Sequence, residues 1–401
     1  MADRKEVRHR STRPERFRAS LLSLSPPPSA PAEARGGEGP LVALLVLALL
    51  AAGDAAAAAN RKLNPALAGG EGDVRGASRL VDHPFLVSPD GSRVVYVADQ
   101  DTDEVVELYS VPIEGGEAVK LNRPLAPGGN VGGADAEVDE PFQISPDGKR
   151  VVYVADQDAD EVFEIYSVPI EGGPVVKLNP PLVAGGDVRG ADEAVVPFRI
   201  SPDSSRVVYL ADLDADEVIE IYSVAIEGGK AVKLNPPLAG GKGDVRGASS
   251  DMANPFRISP DSARVVYVAD QETDNVYELF SVAIEGGAAV KLNPRLAKGR
   301  GEVRGADNSV ANPFRFTPDG GRVLYLADQK EVGVMELYAV AVTGGPVTRL
   351  NLTLADGRGA VVGADYELDN PFLVSPDGRF AVYVADQDAD EVIELYSSEL
   401  P

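Results

Sequence analysis

Carboxylates at fixed spacing are the first candidates for chemistry. Asp99-x-Asp101-x-Asp103 recurs as Asp156, Asp158 and Asp160 and as Asp386, Asp388 and Asp390, with variants at Asp212, Asp214 and Asp216 and at Asp270, Glu272 and Asp274. A Glu follows four residues after each third acid, as Glu107 follows Asp103. Oxygens at i, i+2, i+4 and i+8 are spaced as in a calcium loop, where a hard cation gathers several carboxylates. The sixth position of such a loop favours Gly for a sharp turn, and here it is Glu104, Glu161, Asn275 or Gly333. The alternative is a solvated hairpin loop whose acids pair with cations or face water. No motif demands a cofactor; calcium is the ion this spacing would suit.

Cations provide the second candidate. One position, two residues ahead of a recurring Ser/Thr-Pro-Asp, reads Leu86, Gln143, Arg199, Arg257, Arg315 and Leu373 in successive copies of a repeat. The fifth copy also replaces the acidic loop by Asp328-Gln329-Lys330-Glu331-Val332-Gly333, and the segment entering it carries Arg295, Lys298, Arg300 and Arg304. A basic sector on an acidic chain would focus an anionic ligand or an acidic protein segment. Arg suits that task because its planar fork grips a carboxylate or phosphate with two hydrogen bonds. The same cations could instead neutralise neighbouring acidic loops. Lys120, Lys177 and Lys233, on the outer strands, are expected to be indifferent to capture of such a partner.

Several function classes are closed to these 401 residues. There is no Cys, so thiol nucleophiles, thiolate metal sites and disulfides are absent. The two His are His9 and His83, and no Gly-x-Ser-x-Gly occurs, so a nucleophile elbow with its His partner is not encoded. Lys plus Arg total 38 against 63 Asp plus Glu, a net charge of −25, which repels nucleic acid. Paired carboxylates could serve a hydrolase or lyase. A sixfold-repeated acid singles out no catalytic pair, however, and the recurring Glu107, Glu164, Glu220, Glu278, Glu336 and Glu394 are expected to be structural, hydrogen-bonded between neighbouring blades.

The elements that must carry these residues follow from the repeat. Ser-Pro-Asp at Ser88, Ser145, Ser201, Ser259 and Ser375, with Thr317-Pro318-Asp319, is spaced by 57, 56, 58, 58 and 58 residues. Each copy holds four extended stretches, in the first Pro84–Val87, Arg93–Ala98, Val106–Val111 and Ala118–Asn122. Gly115-Gly116 marks a hairpin between the last two, and no helical period is present. Four short antiparallel strands repeated radially make a β-propeller blade. Phe-x-Ile-Ser-Pro-Asp-Gly-x-Arg-Val-Val-Tyr, followed by Glu-Leu-Tyr-Ser-Val, Gly-Gly and Lys-Leu-Asn, resembles the Pro-Asp (WD-like) repeat of TolB-like six-bladed propellers. The resemblance covers residues 60–401 and implies an all-β fold, without implying an activity.

The ends carry two further expectations. Residues 1–59 read as a leader, with eight basic residues, the apolar core Leu41–Ala52 and a small-residue exit, the layout of a secretory signal peptide. Export would place the mature chain, residues 60–401, in the periplasm or outside the cell; an uncleaved leader would anchor it to a membrane. Lys62-Leu63-Asn64 matches a fourth strand with no copy before it, and the last copy ends without one. Strand Asn60–Asn64 is therefore expected to complete the sixth blade and close the ring of a monomer. The functional expectation is a non-enzymatic scaffold that binds a protein or anionic ligand on its loop-rich face. A calcium-stabilised adhesive module and a carboxylate hydrolase or lyase are the alternatives.

Overall fold

The computed structural model describes residues 60–67, 72–74, 84–132, 141–188, 197–238, 243–245, 255–274, 276–294, 296, 303, 313–352, 360–361, 370–389 and 392–401. The expected leader lies outside them. Among the described residues no helix is long and apolar enough to cross a membrane. The chain is all-β: six antiparallel sheets follow one another, each with its strands in sequence order. These are the six expected blades.

Blade one shows how the sequence makes each of them. Its inner strand is Phe85–Val87, the second Arg93–Ala98, the third Glu107–Pro112 and the outer strand Val119–Lys120. The second strand is almost wholly β-branched or aromatic, a composition that packs well on a pleated surface. Phe85 pairs with Tyr96, Tyr96 with Tyr109 and Tyr109 with Lys120, so one transverse row crosses the whole sheet. The Tyr96 and Tyr109 rings stack at 5.5 Å. The same row recurs in blade two as Phe142, Tyr153, Tyr166 and Lys177.

The Ser-Pro-Asp motif explains itself at the first turn. The Ser88 hydroxyl donates to Asp90 Oδ1 at 2.6 Å and accepts the Arg93 N–H at 2.9 Å. Asp90 Oδ1 also accepts the Ser92 N–H at 3.0 Å. Three polar side-chain and backbone groups that a tight turn would otherwise orphan are thereby satisfied. Gly91 takes φ of 70° there, and blades three and four place Ser204 and Ser262 at φ of 63° and 60° instead. Each Ser offsets that strain by reaching the neighbouring blade: Ser204 Oγ accepts the Asp147 N–H and Ser262 Oγ the Asp203 N–H, both at 3.0 Å.

Alternation along the strands builds the core between blades rather than within one. Val152 and Val154 pack with Phe198, Val207 and Tyr209 of blade three, whereas Val151, Tyr153 and Ala155 pack with Val95, Val97 and Leu108 of blade one. A buried Val, Leu or Phe contributes about 1.5–3 kcal/mol, so each blade is stabilised mainly by its neighbours.

Among the described residues the expected closing strand is not formed. The sixth sheet has three strands, namely Phe372–Val374, Phe380–Ala385 and Glu394–Glu399, and residues 60–64 belong to no strand. Leu63 packs instead on Val94, Tyr96 and Val111 of blade one, as Leu121 packs on blade two. The burial its side chain requires is thus met without a ladder to the sixth blade. Accordingly Phe85 is 56% exposed and Leu395 73% exposed, where their counterparts Phe142 and Leu337 are buried.

Candidate functional site

Arg199, Arg257 and Arg315 come together. Each is the middle residue of a three-residue inner strand, Phe198–Ile200, Phe256–Ile258 and Phe314–Phe316. Phe198, Phe256 and Phe314 belong to the blade cores, and side-chain alternation turns the arginines the other way. The three line a cavity of about 460 Å³ together with Gln143, Ile200, Ile258, Phe316, Leu373, Val374 and the turn residues Pro202, Pro260, Thr317 and Pro318. Gln143 ties blades two and three by donating from Nε2 to the Phe198 carbonyl at 3.1 Å.

The electrostatics are those of crowded like charges. Burial, and then the positive charges of Arg199 and Arg315, pull the Arg257 guanidinium down to about 10. Burial lowers Arg315 as well. Arg315 Nη2 donates to Asn370 Oδ1, while its buried Nε has no hydrogen-bond partner. A half-buried donor in this state favours any acceptor that enters, because in a low dielectric a charge-assisted bond is stronger than in water.

The remaining expected binding residues do not join this cluster. Lys330 is exposed in the loop between the second and third strands of blade five and does not line the cavity. Lys298, Arg300 and Arg304 lie outside the described residues. The sequence reading placed binding on the loop-rich face; the described cavity lining runs instead from the arginines to the Pro-Asp turns, on the opposite side of the blades. Turn chemistry alone could not show this, because the direction of a side chain on the inner strand depends on how neighbouring blades pack.

The acidic loops do not gather their carboxylates. Asp156 is buried; its Oδ1 accepts the Asn130 N–H at 2.5 Å and its Oδ2 the Glu161 N–H at 3.2 Å. Burial raises its pKa above the usual carboxylate range. Asp99 does the same work in blade one, accepting from Asp73 and Glu104, and Asp386 accepts the Ala360 N–H. The second acid turns outward to a cation: Asp101 meets Lys120 at 2.7 Å and Asp158 meets Lys177 at 2.8 Å. Asp103 and Asp388 are exposed, Asp160 packs beside Gly128, and Asp390 lies outside the described residues. Among the described residues no three His, Cys, Asp or Glu side chains are arranged to hold a metal ion. The sixth loop position does adopt the turn conformation that calcium loops use Gly for, with Glu104 at φ of 61° and Gly333 at 82°.

The recurring Glu is hydrogen-bonded within its own blade and not, as expected, to the neighbouring one. Glu107 Oε1 accepts from Lys120 Nζ at 2.6 Å and its Oε2 from the Tyr109 hydroxyl at 2.8 Å. Lys177 and Lys233 bridge Glu164 with Asp158 and Glu220 with Asp214 in the same way. Each of these lysines neutralises a buried Glu. The transverse row supplies the reason, since it sets Lys120 opposite Tyr109, two residues from Glu107.

No protein-family model matches the chain. A stretch of 180 residues is 24% identical to dipeptidyl aminopeptidase BIII of Pseudoxanthomonas mexicana, covering 45% of this chain and 23% of that protein. The chain therefore spans under a quarter of the curated relative it matches. Among solved structures it is similar to a putative TolB from Agrobacterium tumefaciens, at TM-score 0.34 and 17% identity over 79% of this chain and 90% of that one. Another is dipeptidyl peptidase 4 of Porphyromonas gingivalis, at TM-score 0.49 and 13% identity over 75% and 41%.

Proposed function

We propose that this chain is a non-enzymatic binding scaffold that takes a carboxylate-bearing ligand or partner into the cavity lined by Arg199, Arg257 and Arg315. One observation carries the reading: three consecutive blades aim like charges into one cavity, at the cost of depressing Arg257 to about 10. An anion there relieves the repulsion and gains charge-assisted hydrogen bonds. The non-enzymatic part draws on Asp99, Asp101 and Glu107 of the repeat, which are engaged by backbone N–H groups, a lysine and a tyrosine. Residues 1–59 suit export, so the ligand would be met in the periplasm or outside the cell.

The test is a thermal melt in sodium acetate against sodium chloride at equal ionic strength. Acetate should raise the melting temperature of the wild type, by about 1.4 kcal/mol at ten times its dissociation constant, and should not raise that of Arg257→Gln. An identical response to both salts would sink the reading. The 24% identical stretch admits a second reading, the propeller portion of a peptidase. Because this sequence encodes no nucleophile elbow, that reading predicts docking onto a separately expressed peptidase domain; a stable complex in size-exclusion chromatography would favour it over the scaffold.

A further inference from the structure

If the three arginines are an anion site, the charge layering of their cavity restricts which anion it accepts. Arg199, Arg257 and Arg315 line it with Leu373 at the same inner-strand position, and Ile200, Ile258, Phe316 and Val374, partly buried against the blade cores, line it one residue further along each strand. Towards the turns Pro202, Pro260 and Pro318 line it, and each is followed in sequence by an exposed carboxylate, Asp203, Asp261 or Asp319. Those acids are firmly ionised. The Ser259 hydroxyl and the Ala263 N–H hold Asp261 below the usual range, and the Thr317 hydroxyl and the Gly321 N–H do so for Asp319.

Each layer selects. The arginines ask for an acceptor-rich planar anion. The apolar wall gains by burying aliphatic surface, about 25 cal/mol per Å². Negative charge at the turns opposes a second anionic group on the same ligand, within a screening length of about 8 Å. A polyanion satisfies the arginines and collides with the turns, and a neutral apolar molecule does the reverse. We infer that the cavity receives a single terminal carboxylate on an apolar body, the chemistry shared by the carboxy terminus of a peptide ending in aliphatic residues and by a medium-chain fatty acid. A volume of about 460 Å³ lies within the range of small-ligand sites, roughly 300–1,000 Å³.

Calorimetry of the mature chain at physiological salt decides it, with four probes: acetyl-Ala-Leu-Leu as the free acid, the same peptide as its amide, decanoate, and polyglutamate. The free acid or decanoate should bind, and whichever binds more tightly identifies the source of the carboxylate. The amide should bind about tenfold or more weakly than the acid, and Arg257→Gln should abolish the difference while melting at or above the wild-type temperature. Replacing both Asp261 and Asp319 by Asn leaves the arginines in place and should strengthen polyglutamate binding. Equal binding of acid and amide overturns the inference, as does polyglutamate binding more tightly than either monocarboxylate. If polyglutamate prevails and Arg257→Gln abolishes it, the anion site stands and the single-carboxylate inference alone falls. If none of the anions binds, both fall together.

Discussion

A single departure from the repeat makes a sharp test of how these blades are held. In five blades the second-strand Tyr donates its hydroxyl to a Gln four residues on: Tyr96 to Gln100, Tyr153 to Gln157 and Tyr267 to Gln271, each at 2.9 Å, Tyr325 to Gln329 at 3.0 Å and Tyr383 to Gln387 at 3.3 Å. Blade three has Leu213 at the Gln position, and the buried Tyr209 hydroxyl has no partner. A buried, unsatisfied hydroxyl costs about 1–3 kcal/mol, whereas a satisfied one contributes about 1 kcal/mol. Tyr209→Phe should therefore stabilise by about 1 kcal/mol, because the ring keeps its stacking on Tyr222 at 5.6 Å. Tyr267→Phe should destabilise by a similar amount, setting the two variants about 2 kcal/mol apart in urea unfolding. Leu213→Gln supplies the missing acceptor while giving up apolar burial. Its coupling to Tyr209, measured as a double-mutant cycle with Tyr209→Phe, should be about 1 kcal/mol. Equal destabilisation by Tyr209→Phe and Tyr267→Phe, or a coupling of zero, would refute the argument that Leu213 leaves the hydroxyl unmet.

Four further outcomes are expected. Lys233→Met strips the countercharge from buried Glu220 and should cost about 2 kcal/mol in urea unfolding, the worth of a hydrogen bond to a charged group; no loss would show that Glu220 does not depend on the lysine. Ser262→Ala keeps a side chain at φ of 60° and loses the bond from Asp203, so it should lower the melt more than Ser262→Gly, which relieves the strain. The Ser88 hydroxyl, then the Ser92 N–H, hold Asp90 down at about 2 against 3.8 in the unfolded chain, and Asp261 and Asp319 are lowered as well. The unfolded state takes up protons first, so stability present above pH about 4 is lost as the pH falls towards 2, and replacing these three acids by Asn should flatten an acid titration in that window. Millimolar calcium should leave the melt unmoved, since Asp99 and Asp101 are already engaged; a calcium-dependent rise, lost on chelation, would show that the loops rearrange around the ion.

What was legible in the sequence is what the repeat enforces locally. Ser88-Pro89-Asp90 encodes its own turn, Gly115-Gly116 its hairpin, and Arg93–Ala98 its strand, so six antiparallel sheets could be read from the chain alone. The acidic loops misled because spacing along a chain does not give direction: Asp99 turns inward to backbone N–H groups while Asp101, two residues later, turns outward to Lys120. Closure misled for a related reason. Lys62-Leu63-Asn64 has the composition of an outer strand, yet Leu63 satisfies its apolar side chain on blade one, and nothing in the tripeptide specifies a ladder partner. The arginines were legible as residues; their convergence on a cavity towards the Pro-Asp turns was not.

Departures from a near-identical repeat can be sorted by whether the surrounding structure absorbs them. Gly333 replaces a Glu at a position that requires positive φ, and the turn is simply easier to make. Lys330 stands where other loops hold an acid, and the outer-strand cation of that blade, Arg349, relies on Glu336 alone, at 2.7 Å. Ser204 and Ser262 replace Gly and recover a hydrogen bond to the neighbouring blade. Arg199, Arg257 and Arg315 are different in kind, because each added charge worsens the position of the others, which is why Arg257 falls to about 10. Leu at the same position, as in Leu86 and Leu373, would avoid that repulsion. If the proposed anion binds among these three charges, its binding and the folding of the chain are thermodynamically linked.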